Sequence, residues 1–422
     1  MNWFEVGDAL VIIGFTLATK RKYRSLLNPV TIYGAFFFIS SIVAVEIYRA
    51  VGLLDVPQQV LDWCQVLSSI YFGAFGIGYL MRASPFRSVF LFLRKVSRPF
   101  CMSDPKSATR LGLPILLAEF AFVYLLLMIQ SGAGLMWITN SREAYQLHRT
   151  GVGVWWSLAG CILFLAYFVY LVRHGRTVKR VMGGAVIMAI MALLLGSKGI
   201  SLAFLLLGLF YVHYHLRSIG TKTIVIAGLL LLVAFIGLQL LQGTADSLLS
   251  AVLYFDYMPN AARFLNSDFF RFEYGRVSLS SLWFYVPRAL YSAKPYAYGQ
   301  AMISNWLYPG IAQESGATPA LIDWTIPYTD FGVFGVIVAG LIAAWISKAA
   351  FDLFTEEESI DGLSLAAQLA FPFGIEMFTN CPFPIFWCWF IAQSALFWIV
   401  RQAGLLGSQL PERGRSAAAS TH

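Results

Sequence analysis

The feature that most constrains this chain is a succession of about eleven apolar runs, each long enough to cross a bilayer as a helix. Charged residues make up only 12% of the chain, whereas soluble domains average about 25%. Because lipid cannot hydrogen-bond the backbone, a spanning segment has to be a helix or part of a closed barrel, and runs of this length fit helices. We therefore predict an all-α, polytopic transmembrane helical bundle with spans near 3–19, 30–50, 60–81, 111–131, 153–172, 181–197, 200–216, 223–243, 329–347, 359–379 and 383–400.

One long segment, residues 244–328, interrupts the series of apolar runs. It separates a transmembrane bundle of about eight spans in residues 1–243 from about three spans in residues 329–400, and a polar tail follows at 401–422. Loops of this length without periodicity of their own are usually functional or disordered, and this one is too rich in aromatic residues for disorder. We expect an ordered loop that carries the chemistry.

Basic residues are distributed unevenly between the loops. Clusters of Lys and Arg follow the first, third, fifth and seventh spans, whereas the loops between them carry little positive charge. The positive-inside rule therefore places the N-terminus outside, the C-terminus and its tail in the cytoplasm, and the long loop outside. The formal net charge of +8 then reflects membrane topology, and we expect no nucleic acid among the partners.

Several signatures of common enzymes are missing from the sequence. It has no Walker-type phosphate loop, no HExxH pattern and no Gly-x-Ser-x-Gly nucleophile elbow. The five cysteines are scattered and show no metal-ligand spacing. We therefore expect neither a metal nor another cofactor.

Positive residues on the predicted outer face are informative because the positive-inside rule opposes them there. Lys198 stands in a Gly-Ser-Lys-Gly turn between two apolar runs, where a hairpin needs glycine but does not need a lysine. Arg and Lys at a bilayer surface suit a lipid-linked pyrophosphate, although a solvated charge at a helix end is the simpler alternative. The long loop adds Arg263, Arg271, Arg276, Arg288 and Lys294, and a shorter outer loop adds Arg142.

Aromatic and acidic side chains accompany these cations. Tyr and Trp offer flat faces with a hydrogen-bonding edge, which suits sugar rings as well as a membrane interface. A carboxylate or an outward-facing histidine could act as a base, and the sequence does not choose among them. The candidates for the base are His148 and the loop acids Asp256, Glu273, Glu314, Asp323 and Asp330. Tyr298 is a candidate for sugar binding. The acids Glu46, Glu119 and Glu376 lie within predicted spans, where ionisable residues are functional candidates.

Three local sequences give the chain a likeness to a known family. They are GSKG at 196–199, PRALYSAKP at 287–295 and YTDFGVFG at 328–335. A pattern of Arg, ten residues and then Gly also occurs, from Arg288 to Gly299 and from Arg142 to Gly153. Together with the predicted topology, these features resemble the bacterial O-antigen polymerase family of the Wzy type, which is related to the O-antigen ligases.

The resemblance implies a fold and a reaction. The fold would be like that of the GT-C glycosyltransferases, in the bacterial inner membrane with the long loop in the periplasm. The reaction would transfer a growing glycan from undecaprenyl pyrophosphate to a hydroxyl of a new lipid-linked repeat unit. It would need no metal, and the protein would work in the bilayer beside a flippase and a chain-length regulator.

The resemblance also implies roles for individual residues. Arg288, Arg276 and Lys198 would hold the donor pyrophosphate and stabilise the leaving charge. Lys294 and Arg142 would position sugars or phosphate. The expected residues are Arg288, Asp323 and His148 for catalysis, with Glu314 as a further candidate base, and Lys198, Arg276, Lys294, Arg142, Arg263 and Tyr298 for substrate binding.

Three alternatives to a polymerase stay open at this point. An O-antigen ligase uses the same donor on the same face but transfers the glycan to lipid A–core. A flippase or transporter of lipid-linked oligosaccharide would more often have short loops on both sides and charges that line the bundle interior. A structural scaffold would tolerate substitutions at Arg288 and Lys198.

Overall fold

The computed structural model describes residues 2–88, 91, 112–148, 152–241, 247–286, 290–310 and 320–356. Every regular element in this part of the chain is a helix. The expected spans at 359–379 and 383–400, the tail, and the candidates Arg288, Glu314 and Glu376 lie outside the described residues.

The described helices are numbered here in chain order. They are α1 (Trp3–Tyr23), α2 (Pro29–Ala50, with a π turn at Phe38–Val43), α3 (Gln58–Leu80), α4 (Gly112–Gln130), α5 (Met136–Thr139), α6 (Ser141–His148), α7 (Gly153–His174), α8 (Val178–Leu193), α9 (Lys198–Tyr211, extended by a π turn at Val212–Leu216), α10 (Thr221–Leu241), α11 (Leu248–Leu253), α12 (Tyr257–Leu265), α13 (Arg276–Ser280, followed by a 3₁₀ turn at Ser281–Tyr285), α14 (Gln300–Leu307) and α15 (Thr325–Glu356).

Seven of the described helices are long and apolar enough to cross a membrane, namely α2, α3, α4, α7, α9, α10 and α15. The expected spans at 3–19 and 181–197 are also helical, but α1 carries Glu5, Asp8 and a basic last turn, and α8 has only 16 residues. The prediction of an all-helical chain with several helices long and apolar enough to cross a membrane is therefore confirmed. The full number of spans, the orientation and the likeness to GT-C enzymes stay predictions.

Helix α3 packs between α1 and α15 in one group of helices. Gly76 of α3 faces the ring of Phe15 so closely that an added Cβ would overlap the ring. Gly340 of α15 lies against α3, where an added Cβ would stand 2.6 Å from the carbonyl oxygen of Tyr71. Lipid tails are as apolar as the helices, so association within a membrane depends on close approach of this kind.

Helices α4, α7, α8 and α9 form a second group, which shares one hydrophobic core with the first. Tyr214, in the π turn after α9, connects the two groups. Its hydroxyl donates a hydrogen bond to the carbonyl of Leu27 (2.6 Å), and its ring centroid lies 5.3 Å from that of Phe351 in α15. A tyrosine can serve both purposes because its ring is apolar and its hydroxyl needs a partner when buried.

A buried polar cluster lies between α1, α2 and α3. The Asp8 carboxylate accepts hydrogen bonds from the hydroxyls of Ser41 (2.9 Å) and Ser69 (3.0 Å). Ser41 belongs to the π turn, and its backbone carbonyl accepts a hydrogen bond from the Gln65 side-chain amide at 2.6 Å. The predicted intramembrane acid Glu46 instead stands near the end of α2, in an ion pair with Arg49 at 2.6 Å.

The N-terminus and the long segment lie at the same end of the bundle, which we call the long-segment end. At this end, the Tyr48 hydroxyl at the end of α2 donates a hydrogen bond to the Leu253 carbonyl (3.0 Å), and Asn2 bonds to Asp62 at the start of α3. At the opposite end, Lys22 donates to the Leu80 carbonyl (3.0 Å). The basic residues at the ends of α1 and α7 and the described Arg82 and Arg87 after α3 lie there too, and the positive-inside rule predicts that this end is cytoplasmic.

The described part of the long segment is folded around a small core of its own. Phe264, Val277, Ile303 and Leu321 form this core. The segment is fastened to the start of α15, because the buried Asp330 carboxylate accepts hydrogen bonds from the backbone N–H groups of Val277 (3.0 Å) and Ser278 (2.7 Å). Asp330 thereby caps α13 from a neighbouring helix.

The close contact between α3 and α15 predicts that a substitution of Gly340 destabilises the fold. We expect Gly340→Ala to lower the free energy of unfolding by about 1–3 kcal/mol, because the new methyl group would meet rigid backbone rather than a movable side chain. Gly73→Ala on α3 is the matched control, since an added Cβ there meets nothing within 4 Å. Thermal unfolding of the two variants in detergent would measure the difference, and equal melting temperatures would contradict this account of the helix contact.

Candidate functional site at the long-segment end

The Gly-Ser-Lys-Gly turn lies between α8 and α9 at the long-segment end. The last carbonyl groups of a helix have no backbone N–H group of the same helix to bond with. Near lipid, where water is absent, they need hydrogen-bond donors from elsewhere in the protein. Here the carbonyls of residues 193–196 each accept a hydrogen bond from a side chain outside α8. The donors, in that order, are Ser141 (2.6 Å), Tyr124 (3.1 Å), Trp156 (2.8 Å) and Arg142 (3.1 Å).

Two residues of the turn itself explain its shape. Gly196 has a φ of 65°, and an added Cβ would overlap the backbone carbonyl of Ser141, so only glycine fits. The Ser197 hydroxyl accepts a hydrogen bond from the Ile200 N–H (3.4 Å) and so caps α9. Lys198 is consequently the first residue of a membrane-spanning helix.

Lys198 is directed into the protein rather than into solvent. The residue is only 4% exposed. Its ammonium group donates a hydrogen bond to the side-chain oxygen of Gln239 in α10, and it lies 5.0 Å from the ring centroid of Tyr254 in the long segment. The lysine therefore stands where α9, α10 and the long segment meet.

Arg142 flanks the same turn from α6. Its guanidinium donates a hydrogen bond to the Gly196 carbonyl and lies 5.1 Å from the ring centroid of Tyr145. Its Nε is buried and has no hydrogen-bond partner in the described part of the chain. Lys198 and Arg142 thus bring two basic side chains to one turn, and basic side chains gathered in one place favour the binding of an anion.

Arg263, by contrast, is fully engaged as a brace between the long segment and the loop before α3. Its Nε forms an ion pair with Asp55 (2.9 Å), and its terminal nitrogens donate to the Leu53 carbonyl (2.9 Å) and to the Asn260 side chain (3.4 Å). The Arg263 guanidinium correspondingly lowers the pKa of Asp55. These contacts give Arg263 a structural role, and its expected part in substrate binding stays a prediction.

A second group of cations surrounds Glu273, whose carboxylate is buried. One carboxylate oxygen pairs with Arg271 (2.6 Å) and the other with Arg276 (3.2 Å). Both arginine side chains remain well exposed, at 68% and 63%. The carboxylate therefore orients two guanidinium groups whose remaining donors face outward.

Arg276 lines a cleft of about 560 Å³ in the long segment, together with Tyr274, Ser280 and Trp283. The Ser280 hydroxyl connects the two sides of the cleft, because it accepts a hydrogen bond from the Gly299 N–H (2.7 Å) and donates one to the Val277 carbonyl (2.7 Å). Ser280 is thus tied to backbone on both sides, and the cleft, which is open to its surroundings, has a volume within the range of ligand pockets.

Near the cleft, two other predicted binding residues meet. The Lys294 ammonium lies 4.7 Å from the ring centroid of Tyr298, within the range of a cation–π contact. Trp283 stacks on Tyr291 with ring centroids 5.3 Å apart. The aromatic density of the sequence in this region therefore corresponds to real ring contacts.

The sequence-predicted site residues thus fall into separate places. Arg142 and Lys198 lie at one turn, Arg276 lines the cleft, and Lys294 contacts Tyr298. His148 ends α6, the helix that carries Arg142, and Asp323 lies in the turn before α15. The roles expected for all of these residues stay predictions.

Two contacts of Lys198 escaped the sequence-based expectations, and one loop acid elsewhere was not singled out by them. Gln239 and Tyr254 contact Lys198, but neither carries a charge that would mark it in an apolar sequence. Asp256, one of several loop acids, is distinguished by its surroundings, because burial raises the pKa of its carboxyl to about 6. Within the described ranges, no three His, Cys, Asp or Glu side chains are grouped so that they could hold a metal ion.

Comparison with known proteins adds no family to this picture. The chain matches no protein-family model, no curated protein and no solved structure at a significant level.

The raised pKa of Asp256 predicts a pH-dependent stability. Because its pKa rises from 3.8 to about 6 on folding, the ionised carboxylate destabilises the fold above pH 6, and this penalty disappears below pH 3.8. We expect Asp256→Asn to stabilise the protein at pH 8 by up to about 3 kcal/mol and to have little effect near pH 4. Thermal unfolding in detergent at both pH values would measure this, with the exposed Asp268 as an Asn-substituted control. A gain that is the same at both pH values would contradict the assignment.

Proposed function

We propose that this chain is a polyprenyl-pyrophosphate-dependent glycosyltransferase that polymerises lipid-linked oligosaccharide repeat units at the outer face of the bacterial inner membrane. The observation that carries the proposal is the meeting of Lys198 and Arg142 at one turn. These residues are far apart in sequence, and the fold places both where a span begins at the long-segment end.

A pyrophosphate attached to a lipid suits the site formed by Lys198 and Arg142. Lys198 supplies a compact point charge and Arg142 a planar set of donors, which are the two complementary ways of binding phosphate oxygens. The low dielectric of a buried site strengthens both contacts. Because Lys198 is the first residue of a span, a phosphate beside it would stand at the membrane boundary, with its polyprenyl chain in the bilayer.

The proposed reaction is a displacement at the anomeric carbon of the donor glycan. The bond from that carbon to the pyrophosphate oxygen breaks, a bond to the acceptor hydroxyl oxygen forms, and the electron pair leaves with the pyrophosphate. Lys198 and Arg142 would stabilise the negative charge that develops on the leaving group, as Arg288 is also expected to do. The acceptor proton would pass to a base, for which His148 and Asp323 remain the proposed candidates.

Ligase activity is the second candidate function, because it uses the same donor and the same cation site. A polymerase is favoured by the likeness of the PRALYSAKP and GSKG sequences to the O-antigen polymerases. We also propose, on the same resemblance, that a flippase supplies the repeat units and that a chain-length regulator limits the product.

Substitutions at the cation site test the glycosyl transfer. We expect Lys198→Gln and Arg142→Gln each to reduce polymer by at least about a hundredfold, the usual effect of losing a donor that stabilises developing negative charge. Lys222→Gln, at an exposed lysine of the opposite end, should leave polymer unchanged. A gel of surface glycans would measure polymer, and immunoblots of membranes would confirm that each variant is present. Full polymer in both site variants would contradict the proposal.

Deletion of the gene in its host separates the two candidate reactions. A polymerase predicts loss of the glycan ladder, with lipid A–core that carries a single repeat unit. Bare lipid A–core, with long glycan still on undecaprenyl pyrophosphate, would instead establish a ligase. An unchanged ladder would exclude both in O-antigen synthesis.

A further inference from the structure

The cleft beside α13 has a chemical character different from that of the Lys198 turn. Its lining combines one guanidinium group, from Arg276, one hydroxyl, from Ser280, and the aromatic side chains of Tyr274 and Trp283. Flat apolar faces beside a few directed polar groups are typical of sites that recognise a sugar ring. The lysine turn, in contrast, holds two cations near the membrane boundary.

On the Arg276 side of the cleft, a group of ion pairs sets the local charge. Glu273 is paired with both Arg271 and Arg276, so the three side chains together carry one net positive charge. Such a group matches a ligand with a single negative charge better than it matches a pyrophosphate. Arg276 keeps outward-facing donors, and a guanidinium can bind a second carboxylate through two parallel hydrogen bonds.

The position of Arg276 is fixed before any ligand binds. Asp330 caps the helix that Arg276 begins, and the Glu273 N–H donates to the Thr329 carbonyl (2.9 Å), so both ends of the ion pair are anchored to the start of α15. The Ser280–Gly299 hydrogen bond fixes the opposite side of the cleft. Preorganisation of this kind reduces the entropic cost of binding.

We propose that this cleft binds an acidic sugar, with the carboxylate of a uronic acid on Arg276 and the sugar ring against Trp283. If the function proposed above holds, the repeat unit polymerised by this chain contains such a sugar, and the cleft selects for it. Only the statement that the acidic sugar is part of a lipid-linked repeat unit rests on the proposed function. The binding site itself is a property of the long segment.

Direct binding to the purified full-length protein in detergent tests the cleft. The probes are cellobiouronic acid and cellobiose, which differ only by a carboxylate in place of a hydroxymethyl group. We expect the acidic disaccharide to bind at least about tenfold more tightly, as one charge-assisted contact would provide. Isothermal titration calorimetry or ligand-observed NMR would measure the ratio of the two dissociation constants.

Arg271 provides a matched control for Arg276. Both arginines pair with Glu273 and are similarly exposed, but only Arg276 contributes to the lining of the cleft. Arg276→Gln should therefore abolish the preference for the acidic disaccharide, whereas Arg271→Gln, which removes the same charge from the same group, should preserve it. Trp283→Leu should weaken the binding of both disaccharides.

Several results would overturn the proposal. One is equal affinity of the wild-type protein for the two disaccharides, and another is a preference for the acidic disaccharide that survives Arg276→Gln. A third is an equal loss of this preference in both arginine variants, which would indicate attraction by net charge alone. Displacement of the acidic disaccharide by equimolar inorganic pyrophosphate in an Arg276-dependent manner would also overturn it, since the cleft would then be a phosphate site.

The binding experiment and the glycan gel can fail separately. Polymer lost in the Lys198 variant, with no preference between the disaccharides, would leave the polymerase proposal standing and refute the acidic-sugar site. A clear preference, with polymer intact in the Lys198 and Arg142 variants, would retain the binding site and refute the proposed reaction.

Discussion

The satisfaction of backbone hydrogen bonds at helix ends is the constraint on which this structure depends. Where a helix ends near lipid or inside the protein, its terminal carbonyls or N–H groups need partners from elsewhere. At the end of α8 the partners are side chains from α4, α6 and α7, and at the start of α13 the partner is Asp330. The Lys198 turn and the cleft beside α13 both lie at these points, next to the groups that satisfy the helix ends.

The two cation sites use positive charge in opposite ways. Lys198 is nearly enclosed and has contacts with an amide oxygen and an aromatic ring, so an anion that reaches it gains strong, poorly screened interactions. Arg276 is exposed and already paired with Glu273, so its interaction with an anion would be weak but would depend on the ligand's orientation. A strongly charged leaving group suits the first environment, and discrimination between sugars suits the second. Under the proposed function, one part of the substrate would be held tightly at Lys198 and another part would be recognised more weakly at Arg276.

Sequence reasoning identified the helices because their signal is local. Runs of apolar residues in a charge-poor chain can be little else than spans, and seven of them correspond to helices long enough to cross a membrane. It also indicated Lys198 and Arg142, since positive charge on the predicted outer face is unusual. It placed the end of one span at 197, whereas α8 ends at Leu193 because Gly196 adopts a left-handed conformation.

The contacts within the sites could not be predicted in the same way. The use of Arg263 as a brace depends on Asp55, which is distant in sequence, and the partners Gln239 and Tyr254 of Lys198 are common residues without a motif. Such pairings arise from three-dimensional proximity rather than from spacing. Glu273 lies two residues after Arg271 and three before Arg276, but it precedes α13, so the spacing rules for helical ion pairs do not predict these pairings either.

The π turn in α2 has a consequence for the rotational phase of that helix. A π turn adds one residue without adding a turn, and one residue corresponds to about 100° of rotation around an α-helix. Everything after Val43 is rotated by this amount relative to a regular helix, and in that orientation Tyr48 reaches Leu253 and Arg49 reaches Glu5 (2.8 Å). The rotation of one membrane helix about its axis thus determines how the long segment contacts the bundle. A single residue inserted into or deleted from α2 would change these contacts without altering any residue of the long segment.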